Sequence, residues 1–379
     1  MERYPKYKDS GIDWLGNIPE HWDIIKIKRL SIVKRGASPR PIDQPKYFDD
    51  NGEFAWVRIA DVTASNKYLL KTTQTLSKLG NSLSVKQYPG DFFVSIAGSV
   101  GKPIITKIKC CIHDGFVYFP KLKINKEFIY YLFEAGQLFQ GLGKFSTQLN
   151  LNTDTIGNIQ IPLPPLEEQK TIARFLDRKL EQIGHFISNK QRLIELLKEQ
   201  KTAIVNRAVT KGLNTDAPMK PSGIERLGEI PAHWKILKLK YISNIRYGLG
   251  QPPREKEGGL PLIRATNVER GKIVEKDLLF IDPEDVPYGR TPILKEGEII
   301  VVRSGAYTAD SAIIPKKFEG AIAGYDMVVK ARKINCKLLS YIFLSNYVLT
   351  HQLYVLRMRA AQPHLNSEEL GQTFIVSAQ

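Results

Sequence analysis

The opening of this chain is written a second time, 212 residues later. Ser10-Gly11-Ile12-Asp13-Trp14-Leu15-Gly16-Asn17-Ile18-Pro19-Glu20-His21-Trp22 returns as Ser222-Gly223-Ile224-Glu225-Arg226-Leu227-Gly228-Glu229-Ile230-Pro231-Ala232-His233-Trp234. Carried on to Leu30 and Ile242, 12 of 21 positions are identical. A period that long lies far outside the range of solenoids and propellers, so it describes two copies of one whole domain. Two similar domains present two similar surfaces, and their natural partner is an object with two similar sites. At 379 residues each copy has enough chain for a core of its own.

The copies agree beyond their openings. In the first, Phe54-Ala55-Trp56-Val57-Arg58-Ile59, Asp91-Phe92-Phe93-Val94-Ser95-Ile96 and Gly115-Phe116-Val117-Tyr118-Phe119 read as short strands between Gly, Pro and Asn breaks. Phe128, Tyr131, Leu132 and Ala135 fall at helical spacing within 126–140. The second copy keeps the order: 261–268, Gly297-Glu298-Ile299-Ile300-Val301-Val302 and 323–329 mirror the strands, and 337–353 the helix. Gln148-Leu149-Asn150-Leu151-Asn152 corresponds to Gln362-Pro363-His364-Leu365-Asn366.

Between the copies the sequence changes character. Pro162-Leu163-Pro164-Pro165 breaks any preceding strand, because proline lacks the amide donor and fixes φ. From Leu166 to Lys211 there is no proline, and Gly184 is the only glycine. Leu176, Leu180, Ile183, Ile187, Ile194, Leu197, Ile204 and Ala208 follow an alternating 3/4 spacing interrupted by Lys190 and Lys201, the seam of a coiled coil. A helix of this length spans roughly 65–70 Å. Its single apolar stripe calls for an apolar partner, and Gly212 supplies a stop.

The net charge of +16 suits a polyanion such as nucleic acid, with attraction that weakens as salt rises. Long Lys/Arg blocks are absent, so the charge belongs to folded sequence and not to a basic tail. No run of 18 apolar residues and no signal-peptide pattern is present, which points to no membrane and to the cytoplasm. Cys110, Cys111 and Cys336 are too few for a disulfide framework or a four-ligand zinc site.

At this point the chain resembles a known family, the specificity subunits of type I restriction–modification systems. The features that carry the resemblance are the Leu-Gly-x-Ile-Pro-x-His-Trp opening of each copy and the Gly-Asp/Glu strands at Gly90 and Gly297. The exit Ile161-Pro162-Leu163-Pro164-Pro165-Leu166-Glu167-Glu168-Gln169-Lys170 into a long helix completes them. The resemblance covers nearly all of the chain. It implies an α/β (α+β) fold: two repeated target recognition domains of mixed strands and short helices, residues 1–165 and 212–379, joined by a long coiled-coil helix over 166–211. It further implies a non-catalytic subunit of phage defence that reads one half of a bipartite DNA target with each domain. Its partners would be double-stranded DNA, methyltransferase subunits and, through them, restriction subunits. No cofactor and no metal is implied. One departure stands out: after Gln372-Thr373-Phe374-Ile375-Val376-Ser377-Ala378-Gln379 the second long helix is absent. The expectation is a truncated chain, a naturally shortened gene, or a partner helix supplied by a second copy or another chain.

Individual motifs carry less. Gly98-Ser99-Val100-Gly101-Lys102-Pro103 looks like the end of a phosphate-binding loop, but Ile96 stands where the Walker pattern needs glycine and Pro103 follows the lysine. A DNA-contacting loop using Ser99 and Lys102, or a plain turn, remains. Near the same place the second copy has Arg303-Ser304-Gly305-Ala306-Tyr307, where Arg303 is able to donate bidentately to guanine, or else pairs with a carboxylate or phosphate, and Tyr307 lies in the same loop. His113-Asp114 is replaced by Gly324-Tyr325-Asp326. A catalytic pair would not vanish between copies whereas a specificity pair would, so His113 and Tyr325 are candidates for base reading or stacking. Arg58 and Arg264 occupy matching places, which suits phosphate anchoring or a structural ion pair. Gln148, Asn150, Gln362 and His364, with Lys144, Arg357 and Arg359 just before them, place amides and cations in matching loops. Asn152 and Asn366 equally suit capping of the turns that follow them. His21 and His233 read as buried structural residues, since no nucleophile accompanies both.

Two other functions compete. A stand-alone nuclease or methyltransferase is disfavoured, because no Asn/Asp-Pro-Pro-Tyr/Phe motif, glycine-rich cofactor loop or Walker motif is present. Glu199-Gln200-Lys201 has E-x-K spacing but lies on the coiled-coil helix without a paired acidic strand. A basic helical scaffold for RNA or an acidic protein would not need duplicated domains with divergent loops.

Overall fold

A computed structural model describes residues 4–140, 151–251, 253–287, 289, 292–357 and 363–377. The chain divides into two units, one ending at Ile187 and one beginning at Ser188. Each is built from mixed strands and short helices, and the two use the same frame.

In unit 1 the repeated opening is a hairpin, Tyr7–Asp9 against Asn17–Pro19. The next strand, Asp23–Lys26, pairs antiparallel with the exit strand Gln160–Leu163, with Asp23 opposite Leu163 and Lys26 opposite Gln160. The exit strand therefore runs through Pro162 instead of breaking there. This pair is a two-stranded sheet, so each strand is an edge and the missing proline donor costs no ladder bond on a second side. Between entry and exit lie two sheets. One orders Lys34–Arg35, Phe116–Tyr118, Phe92–Ser95, Pro103–Thr106 and Tyr68–Leu69; the other orders Gln74–Leu76, Phe54–Val57, Cys110–Ile112 and Val85–Gln87. Phe92 and Val94 point into a core with Phe128, Ile129 and Phe133, while Phe93 joins Val57, Ile104, Ile112 and Phe116 on the other face. A strand buried on both faces reads as a continuous apolar run, as Phe92-Phe93-Val94 does.

Unit 2 repeats this plan. Glu229–Pro231 pairs with Met219–Pro221, and Lys235–Lys238 pairs with Phe374–Ser377. One sheet orders Ser243–Tyr247, Met327–Ala331, Ile299–Val301 and Ser311–Ile313; the other orders Leu279–Ile281, Glu255–Ile263 and Ile322–Ala323. The parallel pair of Phe54–Val57 with Cys110–Ile112 in unit 1 reappears as Glu255–Ile263 with Ile322–Ala323.

Both expected short helices are shorter than their apolar spacing suggested. Lys126–Glu134 starts at Asn125, whose side chain accepts from the Phe128 amide, and ends before Gly136 at φ +71°. Cys336–Leu344 stops at Ser345, whose ψ of 150° leaves the helical region, and the chain resumes as a broken series through Leu349–Leu353 and Tyr354–Arg357. A polar side chain or glycine at the boundary outweighed the periodicity.

The repeated Gly-Asp/Glu signature has a structural cause. Gly90 and Gly297 adopt φ of +92° and +82°, conformations that favour glycine. The acid that follows folds back on the same turn: Asp91 accepts from the Tyr88 amide at 2.8 Å, and Glu298 from the Lys295 amide at 3.0 Å. In unit 2 the acid also takes a bidentate pair from Arg246, at 2.7 and 2.5 Å.

The long helix runs Leu166–Lys211, 46 residues, and belongs to unit 1 up to Ile187 and to unit 2 from Ser188. Its start is docked tightly. Gln169, 4% exposed, donates to the Pro164 carbonyl at 2.8 Å and accepts from the Asn125 amide at 2.9 Å. Lys67 meets Asp177 at 2.6 Å beside the rings of Tyr68, Tyr130 and Tyr131, and Tyr131 also donates to Asp177. At the other end Val205 and Val209 pack into the core of unit 2, and Gly212 at φ +75° ends the helix. Among the described residues no helix is long and apolar enough to cross a membrane.

Burial sets the expected cost of losing each acid of the signature. The Glu298 side chain is 5% exposed, whereas Asp91 is 39% exposed beside Lys126. Glu298→Ala breaks a largely buried ion pair and should cost about 3–5 kcal/mol; Asp91→Ala should cost about 1 kcal/mol. Calorimetric unfolding of the full chain measures both, and equal losses would contradict the assignment.

Candidate nucleic-acid interface

Arg58 and Arg264 stand at the same point of the two frames, directly after the strands that make the parallel pairs. Each backbone amide is held by the side chain three residues on, Arg58 by Asp61 at 2.9 Å and Arg264 by Asn267 at 3.2 Å. The side chains are tethered as well. Arg58 donates to the Thr73 hydroxyl, and Arg264 to the Asp277 carbonyl at 2.8 Å. The duplicated arginines are thus fixed by the same local device.

In unit 1 the loop after Phe92–Ser95 packs on the helix that follows Arg58. Ser99 meets the Thr63 hydroxyl at 2.8 Å, and the Lys102 ammonium donates to the Thr63 carbonyl at 3.3 Å. Arg58, Ser99 and Lys102 therefore gather around the helix Ile59–Ala64. His113 lies on the neighbouring turn, its ring against Trp56 and Phe116 and its Nδ1 accepting from the Gly115 amide at 2.8 Å. Burial pushes its pKa down, with Asp114 opposing. Asp114 takes donors from Arg40 at 2.7 Å and Ser38 at 3.0 Å.

Unit 2 fills the same region with different chemistry. The Arg303 guanidinium lies 4.7 Å from the ring of Tyr247 and 4.5 Å from that of Tyr325. Its Nη2 is 3.5 Å from His364, whose other ring nitrogen is 3.2 Å from Ser304. The Leu365 amide donates to the Arg303 carbonyl at 2.9 Å, so the segment 363–366 is sewn to the 303–308 loop. Arg264, Tyr325 and Asp326 line an apolar pocket of about 320 Å³ beside this cluster. Tyr307 is 48% exposed and Tyr325 51%. Arg303, Tyr325, His364 and Arg264 are brought together, with Tyr307 in the same loop.

The backbone register explains the exchange of residues. In both units a glycine leads into the region, and its chain passes so close to the opposite turn that no side chain fits. A Cβ on Gly36 would lie 2.1 Å from the His113 carbonyl oxygen, and one on Gly248 2.1 Å from that of Gly324. Gly36 donates to the Phe116 carbonyl, and Gly248 to that of Asp326. Ala37 and Leu249 likewise donate to Ile112 and Ala323. The turn therefore holds three residues in unit 1 (113–115) and two in unit 2 (324–325). Asp326 takes the place of the buried Phe116, not of Asp114, and Tyr247 the place of Arg35. Sequence reading missed Tyr247; the glycine repeated after it was the available signal.

A carboxyl in a phenylalanine's place is poorly solvated. Burial raises the Asp326 pKa from 3.8 to about 6, against the lowering effect of the Arg303 amide that donates to it at 3.0 Å.

Other candidates fall elsewhere. Lys144, Gln148, Asn150, Gln362, Arg359 and the side chain of Arg357 lie outside the described residues. Asn152 and Asn366 are helix caps, accepting from the Thr155 and Glu369 amides at 2.8 and 2.9 Å. His21 and His233 are not buried, which corrects the sequence expectation. Half-exposed His21 bonds Glu168 at 2.7 Å, and Trp22 and Tyr4 donate to the same carboxylate at 2.9 Å each, so the opening motif grips the start of the long helix. His233 is exposed beside Trp234. Glu199 and Lys201 are exposed on the helix surface. Along the seam Leu176 is half-buried, whereas Leu180, Ile183, Ile187, Ile194, Leu197 and Ile204 are exposed by 50% or more.

Residues 19–203 match the family model described as type I restriction modification DNA specificity domain. A type I restriction enzyme MjaVIII specificity subunit from Methanocaldococcus jannaschii is 26% identical over 93% of this chain and 81% of its own length. The EcoBI specificity subunit of Escherichia coli is 26% identical over 97% and 78%. Two solved structures share the fold at 15% identity. One comes from a study of complex assembly and conformational transition of the type I system, with TM-score 0.66 over 95% of this chain and 86% of that one. The other is the specificity subunit from Thermoanaerobacter tengcongensis, with TM-score 0.54 over 95% and 85%. Over nearly its whole length the chain is similar to the specificity subunits of type I restriction–modification systems, and residues 19–203 match their DNA specificity domain.

The Asp326 carboxyl gives a pH test with a defined sign. Its folded pKa lies above its unfolded one, so the folded state holds the proton more tightly and stability falls as pH rises from about 4 to 6. Asp326→Asn should therefore stabilise unit 2 at pH 8 by on the order of 2–3 kcal/mol and lose that advantage below pH 4. Thermal melts at the two pH values decide it.

Proposed function

We propose that the two units read the two halves of an asymmetric, bipartite DNA target, and that the long helix docks the methyltransferase subunits, which bring the restriction subunits. The observation that carries this reading is the contrast inside one frame: the arginines Arg58 and Arg264 are shared, while the turns beside them differ in length and chemistry. Contacts to phosphate position a protein without sequence information and suit what is shared; contacts to base edges specify and suit what differs. Arg58 and Arg264 are accordingly assigned to backbone anchoring. Ser99, Lys102 and His113 in unit 1, and Arg303, Tyr307, Tyr325 and His364 in unit 2, are assigned to the reading surfaces. The net charge of +16 supplies the salt-sensitive attraction that such a role needs. For docking, the support is the row of large apolar side chains from Leu180 to Ile204 that stands exposed on the helix. On this reading 1–165 and 212–379 are the recognition domains and 166–211 the spacer.

Replacing residues 1–165 with the corresponding domain of another specificity subunit should change one half of the methylated sequence and leave the other as it was. Mapping of methylated adenines in cells reads this directly, and a change in both halves would sink the model. The paired substitution Leu180→Asp with Ile187→Asp should lower co-purification of the methyltransferase at least tenfold while leaving the melting temperature of the chain within a few degrees, since both side chains are already half exposed. Undiminished co-purification would remove the helix from the docking surface.

A further inference from the structure

We infer that Arg303 reads a guanine in the half-site taken by unit 2, and that Tyr247 is the residue that positions it. This rests on the reading of unit 2 as a DNA-recognition domain and says which base and which edge it recognises. Four observations converge on Arg303. Its guanidinium is flanked by the rings of Tyr247 and Tyr325, at 4.7 and 4.5 Å. Its backbone is held at both ends, the amide by Asp326 at 3.0 Å and the carbonyl by Leu365 at 2.9 Å. Tyr247 is itself anchored, because its hydroxyl accepts from the Ser367 amide at 2.8 Å and meets the Ser367 hydroxyl at 3.0 Å. Both rings nonetheless remain partly open, 39% and 51% exposed, so the cluster sits at the surface.

This arrangement suits a planar ligand edge better than a phosphate. A guanidinium packed against aromatic rings keeps its in-plane donors for recognition, and guanine offers two in-plane acceptors, O6 and N7, in the major groove. Holding the fork before binding removes part of the rotamer entropy that a free arginine would lose. A phosphate anchor would be expected in both copies, as Arg58 and Arg264 are. The position of Arg303 in unit 1 is Ile96, and that of Tyr247 is Arg35, so the clamp belongs to unit 2 alone. His364, 3.5 Å from Nη2, completes the surround.

The experiment selects duplexes from a randomised library with the full chain co-purified with its methyltransferase. The wild type should enrich a split motif with a fixed guanine in one half. Arg303→Ala should lose discrimination at that one position, roughly 10- to 100-fold against the other bases, and keep every other position. Tyr247→Leu should relax the same position partially, and Tyr247→Phe, which keeps the ring, should restore most of it. A uniform loss of affinity in Arg303→Ala, with the salt dependence reduced by about one phosphate contact, would overturn the inference in favour of backbone anchoring. A second measurement needs no variant. On the wild type, 7-deazaguanine at the fixed position should weaken binding about tenfold or more, whereas inosine should bind as guanine does, because only the former alters the major-groove edge. The reverse pattern would overturn the assignment. Enrichment of no motif by the wild type would overturn the DNA-reading function itself, and this inference with it.

Discussion

Each unit is closed by one backbone pairing, entry strand against exit strand. Asp23–Lys26 lies along Gln160–Leu163, and Lys235–Lys238 along Phe374–Ser377. Everything between the two strands is enclosed by that ladder. In unit 1 it also fixes the direction in which the chain leaves. Pro164 and Pro165 follow immediately, and the helix starts at Leu166 with Gln169 bonded back to Pro164 and to Asn125. Glu168, the residue before, receives Tyr4, His21 and Trp22. The hydrogen bonds to this carboxylate hold its pKa down even though burial opposes them. The opening motif and the exit motif are far apart in sequence but form one joint.

That joint separates what must be constant from what is free to vary. Loops hung on a rigid frame carry binding function at little cost to the fold. Here the frame comes within van der Waals contact of the reading turn at Gly36 and Gly248, where carbonyl oxygens occupy the space of a side chain. One residue more or less in the turn changes which side chain reaches the surface and which is buried. Unit 1 buries Phe116 and presents His113 and Asp114; unit 2 buries Asp326 and presents Tyr325 against Arg303.

Much of this was legible in the sequence, and the reasons are physical. The duplication showed because both copies need the same left-handed glycines, Gly11, Gly16 and Gly90 in one and Gly223, Gly228 and Gly297 in the other. The long helix showed because a 46-residue stretch without proline has few alternatives. Pro162 misled, because a proline is harmless on a strand paired on one side only. The two short helices were overextended because apolar spacing carries no information on where a capping or breaking residue wins. The buried histidines were misplaced for a related reason: a polar ring beside a tryptophan reads as core, yet His21 meets its partner Glu168 at a half-exposed joint. Tyr247 escaped notice because its role depends on a stack with residues 56 and 78 positions away. The glycine that follows it marks the position in the frame but not the contact.

The exposed leucines and isoleucines of the helix bear on how the protein behaves in solution. Leu180, Ile183, Ile187, Ile194, Leu197 and Ile204 form an adhesive strip on a molecule whose net charge is +16. Mutual repulsion of such molecules is a long-range force, and the attraction between strips acts only at contact. Added salt shortens the first, to a range of about 8–10 Å at physiological ionic strength, without weakening the second. Ionic strength thus acts in two directions at once: it loosens the hold on a polyanion and removes the electrostatic barrier that keeps the strips of separate molecules apart.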